Sequence, residues 1–69
     1  MVIMSEKINK YHVRLNLCRP SEGAIIRRHI SDVVFADSTD AAIAFAKVRN
    51  GHRVRTNERV VGTMTHRID

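Results

Sequence analysis

Tyr11-His-Val-Arg-Leu-Asn-Leu17 alternates without a break, with Tyr11, Val13, Leu15 and Leu17 on one side of an extended chain and His12, Arg14 and Asn16 on the other. A period of two held this long marks a strand with one buried face and one solvated face. Arg19-Pro-Ser-Glu-Gly23 follows, in which Pro presets one turn dihedral and Gly accepts a positive one, and β-rich sequence resumes at once. The unit expected is a hairpin.

Its second strand is expected over Ala24–Ala36, with a mixed phase. Ile26 and Ile30 share a face, whereas Val33 and Phe35 have the opposite parity. The pattern therefore predicts a one-residue slip near Ser31 and Asp32, a bulge that returns both pairs to the core. Next, Asp37-Ser-Thr-Asp40 supplies short oxygen-bearing side chains ahead of a run of good helix formers closed by Asn50-Gly51. A helix is expected over residues 39–49, with Ser38 as N-cap, Asp40 in the first turn, and Lys47 and Arg49 in the last, all signs that suit the helix dipole. Ala41, Phe45 and Val48 form one stripe and Ile43 lies nearly opposite Phe45, so this helix can pack on two sides, and Ile43 is the candidate self-association residue.

The remaining sequence is β-rich again. A turn at Asn57-Glu58 would give a short strand over 52–56 and a longer one over 59–67. The fold class is then α+β: an antiparallel sheet of three or four strands with one helix packed on one face, in the order β-β-α-β, with β-β-α-β-β as the variant. Residues 8–69 form the expected single domain and residues 1–7 a tail.

Composition limits what such a domain can be. In 69 residues the hydrophobic share is 43% and the aromatic share 4%, while 12 Lys and Arg oppose 7 Asp and Glu for a net charge of +5. A chain this short has little core, and usual supports are disulfides, a metal or a partner subunit. Cys18 is the only cysteine, so no internal disulfide and no cysteine-rich zinc site can form, and self-association is the support expected. Met1-Val-Ile-Met4 is too short for a signal peptide and no apolar run approaches a membrane span, so the expected setting is cytoplasmic, without a membrane partner.

One helix can cover only one face of the sheet. That face is expected to take Tyr11, Val13, Leu15, Ile26, Ile30 and Phe35, together with Val60, Met64 and Ile68 from the last strand. The open face then presents His12, Arg14, Asn16, Arg27 and His29, with Arg59, Thr63, Thr65, Arg67 and the apolar Val61. Arg49, Arg53, Arg55 and Arg59 make the segment after the helix the densest positive stretch, against Glu58 alone. Guanidinium groups match phosphate geometry. Arg14, Arg27, His29, Arg49, Arg53, Arg55, Arg59 and Arg67 are accordingly the candidate contacts to an anionic partner, nucleic acid first; the bland alternative is a solvated β face.

Other chemistries find less. His12 and His29 could face each other across the hairpin, but no third metal ligand is oriented toward them. Cys18 beside Arg19 is a lone thiol, Ser38 and Ser21 are committed to a cap and a turn, and Gly23, Gly51 and Gly62 are too dispersed to cradle phosphate. With Tyr11 and Phe35 assigned to the core and Phe45 to the helix, base stacking on the sheet is not expected. The segment 35–47 resembles the strand-to-helix step of many small β-β-α-β domains, antitoxins of the HicB type among them, without the aspartate-aromatic-proline element usual in their second strand. The function expected is therefore a non-enzymatic binding or accessory protein without cofactor or metal. The alternative is a protein-interaction module, a homodimer or a strand-edge docking unit.

Overall fold

The computed structural model describes residues 8–69, and the expected tail lies outside them. The elements are β1 (Asn9–Ser21), β2 (Ala24–Ala36), α1 (Thr39–Arg49), a short 3-10 turn (Gly51–Arg53) and β3 (Arg59–Arg67). The strands form one antiparallel sheet in the order β2-β1-β3, so the strongly alternating first strand is central, and the fold is α+β of the β-β-α-β type. The strand considered over 52–56 does not form. Glu58 folds that segment back on itself, accepting the Arg55 N–H at 2.8 Å, while the Arg53 carbonyl accepts from Arg28 at 2.6 Å.

The hairpin turn is shorter than the sequence suggests. Ser21 pairs with Ala24, and the two residues between them have positive φ, 43° at Glu22 and 80° at Gly23. Two left-handed residues in a two-residue loop match the twist of the flanking strands. Pro20 is thus a strand residue, opposite Ile25. Even-numbered residues of β1 turn their backbone groups toward β3, as the Lys10 carbonyl does in accepting the Ile68 N–H at 2.9 Å. Since β3 begins at Arg59 opposite Cys18, the missing N–H of Pro20 falls where no strand needs it.

The expected slip in β2 is absent. Pairing runs unbroken from Asn9 with Ala36 to Ser21 with Ala24, so Ile30, Asp32, Val34 and Ala36 share the helix side while Val33 and Phe35 face the other way. Phe35 is 62% exposed and Val34 is buried. The register shift lies instead between β1 and β3: Asn16 pairs with Gly62 but Leu17 with Val60, leaving Val61 as the extra residue. A bulge there inverts the parity of everything after it. Val60 packs against the core, Thr63 and Thr65 turn to the helix side, and Met64, expected inside, is 60% exposed on the open face. Ile68, also expected inside, is exposed beyond the end of β3. Arg67 pairs with Tyr11 and so lies on the helix side, against expectation.

The core consists of Tyr11, Val13, Leu15, Leu17, Ile30, Val34, Ala36, Ala42 and Ala46. Ser38 caps α1, its side chain accepting the Ala41 N–H at 3.2 Å. Ala42 and Ala46, one turn apart and fully buried, let the helix lie close to the sheet. Choosing that face packs Ile43 against the core and leaves Phe45 and Val48 outside, 54% and 82% exposed. Ile43 is therefore a packing residue, not the free apolar side of the helix. Ile26 keeps the expected face but lies toward the hairpin tip and remains exposed.

Candidate functional site

Strand register orders the open face into rows. Phe35 stands beside Lys10; then come Val33, His12 and His66; Ser31, Arg14 and Met64; His29, Asn16 and Gly62; and Arg27, Cys18 and Arg59. From the Phe35 row to the Arg27 row is eight residues of strand, about 26 Å, and three strands span about 10 Å. Lys10, Arg14, Arg27 and Arg59 bring four cations to this surface and no row contains an Asp or Glu.

The carboxylates of the described residues are placed elsewhere, several already matched with arginines. Asp32, on the helix side, accepts Arg49 Nε at 2.9 Å and Nη2 at 2.7 Å, and also Asn50 Nδ2 at 2.8 Å. The Arg49 contact, with smaller help from Asn50 and the Val33 N–H and against the opposing effect of burial, holds the Asp32 carboxyl down at about 2. Glu58, its side chain almost wholly covered, accepts Arg28 Nε and Nη2, both at 2.6 Å. Arg28 dominates in lowering the Glu58 carboxyl to about 2, with desolvation opposing it. Asp69 pairs with Arg67 at 2.9 Å and accepts the Lys10 backbone N–H at 3.1 Å, so its carboxylate lies at the Lys10 end of the face. Glu22 is at the hairpin turn, and Asp37 and Asp40 flank the helix start.

The eight candidate contacts therefore divide. Arg14, Arg27, His29 and Arg59 share the open face, and Arg14 donates to the Asn16 side chain at 3.2 Å, a neutral partner that leaves its charge uncompensated. Arg49 and Arg67 are held by Asp32 and Asp69. Arg53 donates to Asn50 Oδ1 at 3.0 Å on the other side of the molecule, and Arg55 sits in the loop before β3. The 49–59 segment thus does not extend the open face, except at Arg59, because its turns serve the helix end and Glu58. Arg14, Cys18, Ile25, Arg27, His29 and Val61 line a shallow cleft of about 500 Å³ on this face.

Lys10 and the pair His12 and His66 also belong to the face. The register places His12 opposite His66, with ring centroids 5.5 Å apart, while His29 lies opposite Asn16, so the His12–His29 pairing that the hairpin could have allowed does not occur. Extending the alternation of β1 by one position would have found Lys10; the His12–His66 pair depends on the bulge. Among the described residues, no three His, Cys, Asp or Glu side chains are grouped so as to hold a metal ion, and no helix is long and apolar enough to cross a membrane.

Comparison of the chain with protein-family models, with curated proteins and with solved structures finds no match.

Proposed function

We propose that this chain is a small non-enzymatic nucleic-acid-binding protein that contacts phosphates through the open face of its sheet. One observation carries the reading: the register gathers Lys10, Arg14, Arg27 and Arg59 on rows that hold no Asp or Glu, with the Asp69 carboxylate at the Lys10 end only, while Asp32 and Glu58 are spent on arginines of the other side. A merely solvated β face would mix the two signs. Four phosphate contacts imply a loss of roughly 50- to 150-fold in affinity between 50 and 200 mM salt. Titration of a labelled oligonucleotide at both concentrations tests this, with Arg27→Glu expected to weaken binding and flatten the salt dependence. Absence of binding at 50 mM salt would remove the reading.

A second reading, self-association, has its own observation. Phe45 and Val48 are exposed on α1 beside Phe35, and Val34 and Arg49 complete the groove. Strand addition is blocked there, since the Val33 N–H is bonded to Asp32 Oδ1 at 2.8 Å and its carbonyl to Arg49 at 2.8 Å. A second copy would instead pack helix against helix. The acidic start (Asp37, Asp40) and basic end (Lys47) of α1 favour an antiparallel two-fold arrangement. Sedimentation equilibrium of wild type and Val48→Asp tests this: the variant should remove a concentration-dependent dimer, and a wild type monomeric throughout excludes the reading.

A further inference from the structure

An unbroken β2 does more than correct the core. It carries Phe35, 62% exposed, to the β2 margin of the cationic face beside Lys10, where its ring also borders the groove with Phe45 and Val48, one row from the His12 and His66 rings, which are tilted at 53° to each other. The face therefore combines flat rings at one end with guanidinium groups at the other. We infer that its ligand is single-stranded nucleic acid, with bases stacked on Phe35 and the His12–His66 pair and the backbone led past Lys10 and Arg14 toward Arg27 and Arg59. The inference rests on the nucleic-acid reading and narrows it.

Two physical arguments select an unpaired strand. Rings exposed on a sheet can be covered only by bases whose faces are free, and in a duplex those faces are occupied by neighbouring pairs. A duplex would have to admit the sheet into a groove, yet the major groove, about 12 Å wide, takes a helix or a two-stranded ribbon. Three strands about 10 Å across, with Arg and Phe side chains at their margins, exceed it. A single strand lies along the rows without that constraint. Side chains on one face recur about every 6.7 Å along a strand, so bases and phosphates can be met in turn, and the face covers on the order of four nucleotides.

The test uses the full chain with a fluorescent pyrimidine 12-mer, the corresponding duplex, and polyphosphate at 50 mM salt. The single strand is expected to bind at least tenfold more tightly than the duplex. Phe35→Ala, at an exposed position that leaves the core intact, should weaken single-strand binding on the order of tenfold and leave polyphosphate binding unchanged. The chain has no Trp, so Phe35→Trp provides a direct signature: its emission should be quenched by the single strand and not by polyphosphate. If Phe35→Ala binds the single strand like wild type while Arg27→Glu is weakened, stacking is overturned and the phosphate-binding reading stands. Equal or tighter duplex binding also overturns the inference. If none of the three polyanions binds, both readings fail.

Discussion

Arg49 at the end of α1 holds Asp32 in the middle of β2 through two hydrogen bonds, while a third runs from Arg49 to the Val33 carbonyl. This clamp explains why β2 keeps one register. Asp32 lies opposite Val13, on the side covered by the helix, where an unmatched carboxylate would be costly. With Arg49 and Asn50 as partners it is satisfied there, and no bulge is needed to turn it outward. The same contact occupies the free backbone edge at Val33, which discourages another strand from adding.

Replacing Asp32 by Ala should therefore do two things. It removes a bidentate, partly solvated ion pair, for a loss of about 1–2 kcal/mol or roughly 5–15 °C in Tm. It also uncovers the Val33 edge, so light scattering at high protein concentration should rise above wild type. A variant with unchanged melting and scattering would show that the clamp contributes neither stability nor edge protection.

Acid should act through the same contacts. Asp32 and Glu58 both have folded-state values near 2, below ordinary values of 3.8 and 4.5. A carboxyl held low binds fewer protons when folded than when unfolded, so its contribution is complete above about pH 5 and disappears as the pH falls toward 2. Thermal melts should show a plateau above pH 5 and a continuous decline from pH 4.5 to 2. In a double variant Asp32→Asn, Glu58→Gln that decline should flatten, and a decline equal to that of wild type would locate the acid sensitivity elsewhere.

Glu58 is a second site of this kind. Its carboxylate joins Arg28 of β2 to the Arg55 N–H of the loop, while Arg28 also reaches the Arg53 carbonyl. Glu58→Ala leaves Arg28 without its counter-ion and the loop without its tie. A fall in Tm on the order of 10 °C is expected, with faster amide exchange over 53–58. Glu58→Gln, which keeps one acceptor, should lie between that variant and wild type.

How much of this the sequence disclosed depends on where its signals were local. Strict alternation in 11–17 gives the central strand, and Ser38 with the following alanines gives the helix within a residue of its observed limits. Both rest on near-neighbour chemistry. The faces of β2 and β3 do not. Reading Val33 and Phe35 as core residues assumes that large apolar groups are buried, and it fails because Asp32 has a distant partner, Arg49, that makes its inward position tolerable. Val60-Val61 offers no sign that the bulge lies there, so the faces expected for Thr63, Met64, Thr65 and Arg67 are inverted. Arg14, Arg27 and His29 kept their expected face because they lie in the hairpin on the unslipped side.

Thr65 supplies a test of that inverted parity. It sits opposite Val13 on the helix side, and its hydroxyl is buried without a hydrogen-bond partner. Thr65→Val removes the unpaired hydroxyl at nearly constant shape and should stabilise the fold by about 1 kcal/mol, read as a rise in denaturation midpoint at unchanged m-value. If Thr65 faced solvent, as the unbulged pattern would have it, the substitution would be close to neutral.

The two strand-associated glycines should respond oppositely to Ala. Gly23 has φ of +80° in the hairpin turn, where open space surrounds the missing Cβ but the backbone conformation opposes any L side chain. Gly23→Ala should cost about 1 kcal/mol and weaken the arm that carries Arg27. Gly62, beside the bulge, has no such φ, and a Cβ there would meet only Asn16 Nδ2, at 3.7 Å, an ordinary contact. Gly62→Ala should therefore be neutral or stabilise by up to about 1 kcal/mol, by restricting the unfolded chain. Because Gly62 stands between Val61 and the Arg14–Met64 row, the same variant also probes the open face. A methyl beside Asn16 that leaves stability unchanged yet lowers oligonucleotide affinity would show that the bound strand approaches the backbone there, whereas a loss of stability would mean that the bulge itself needs glycine.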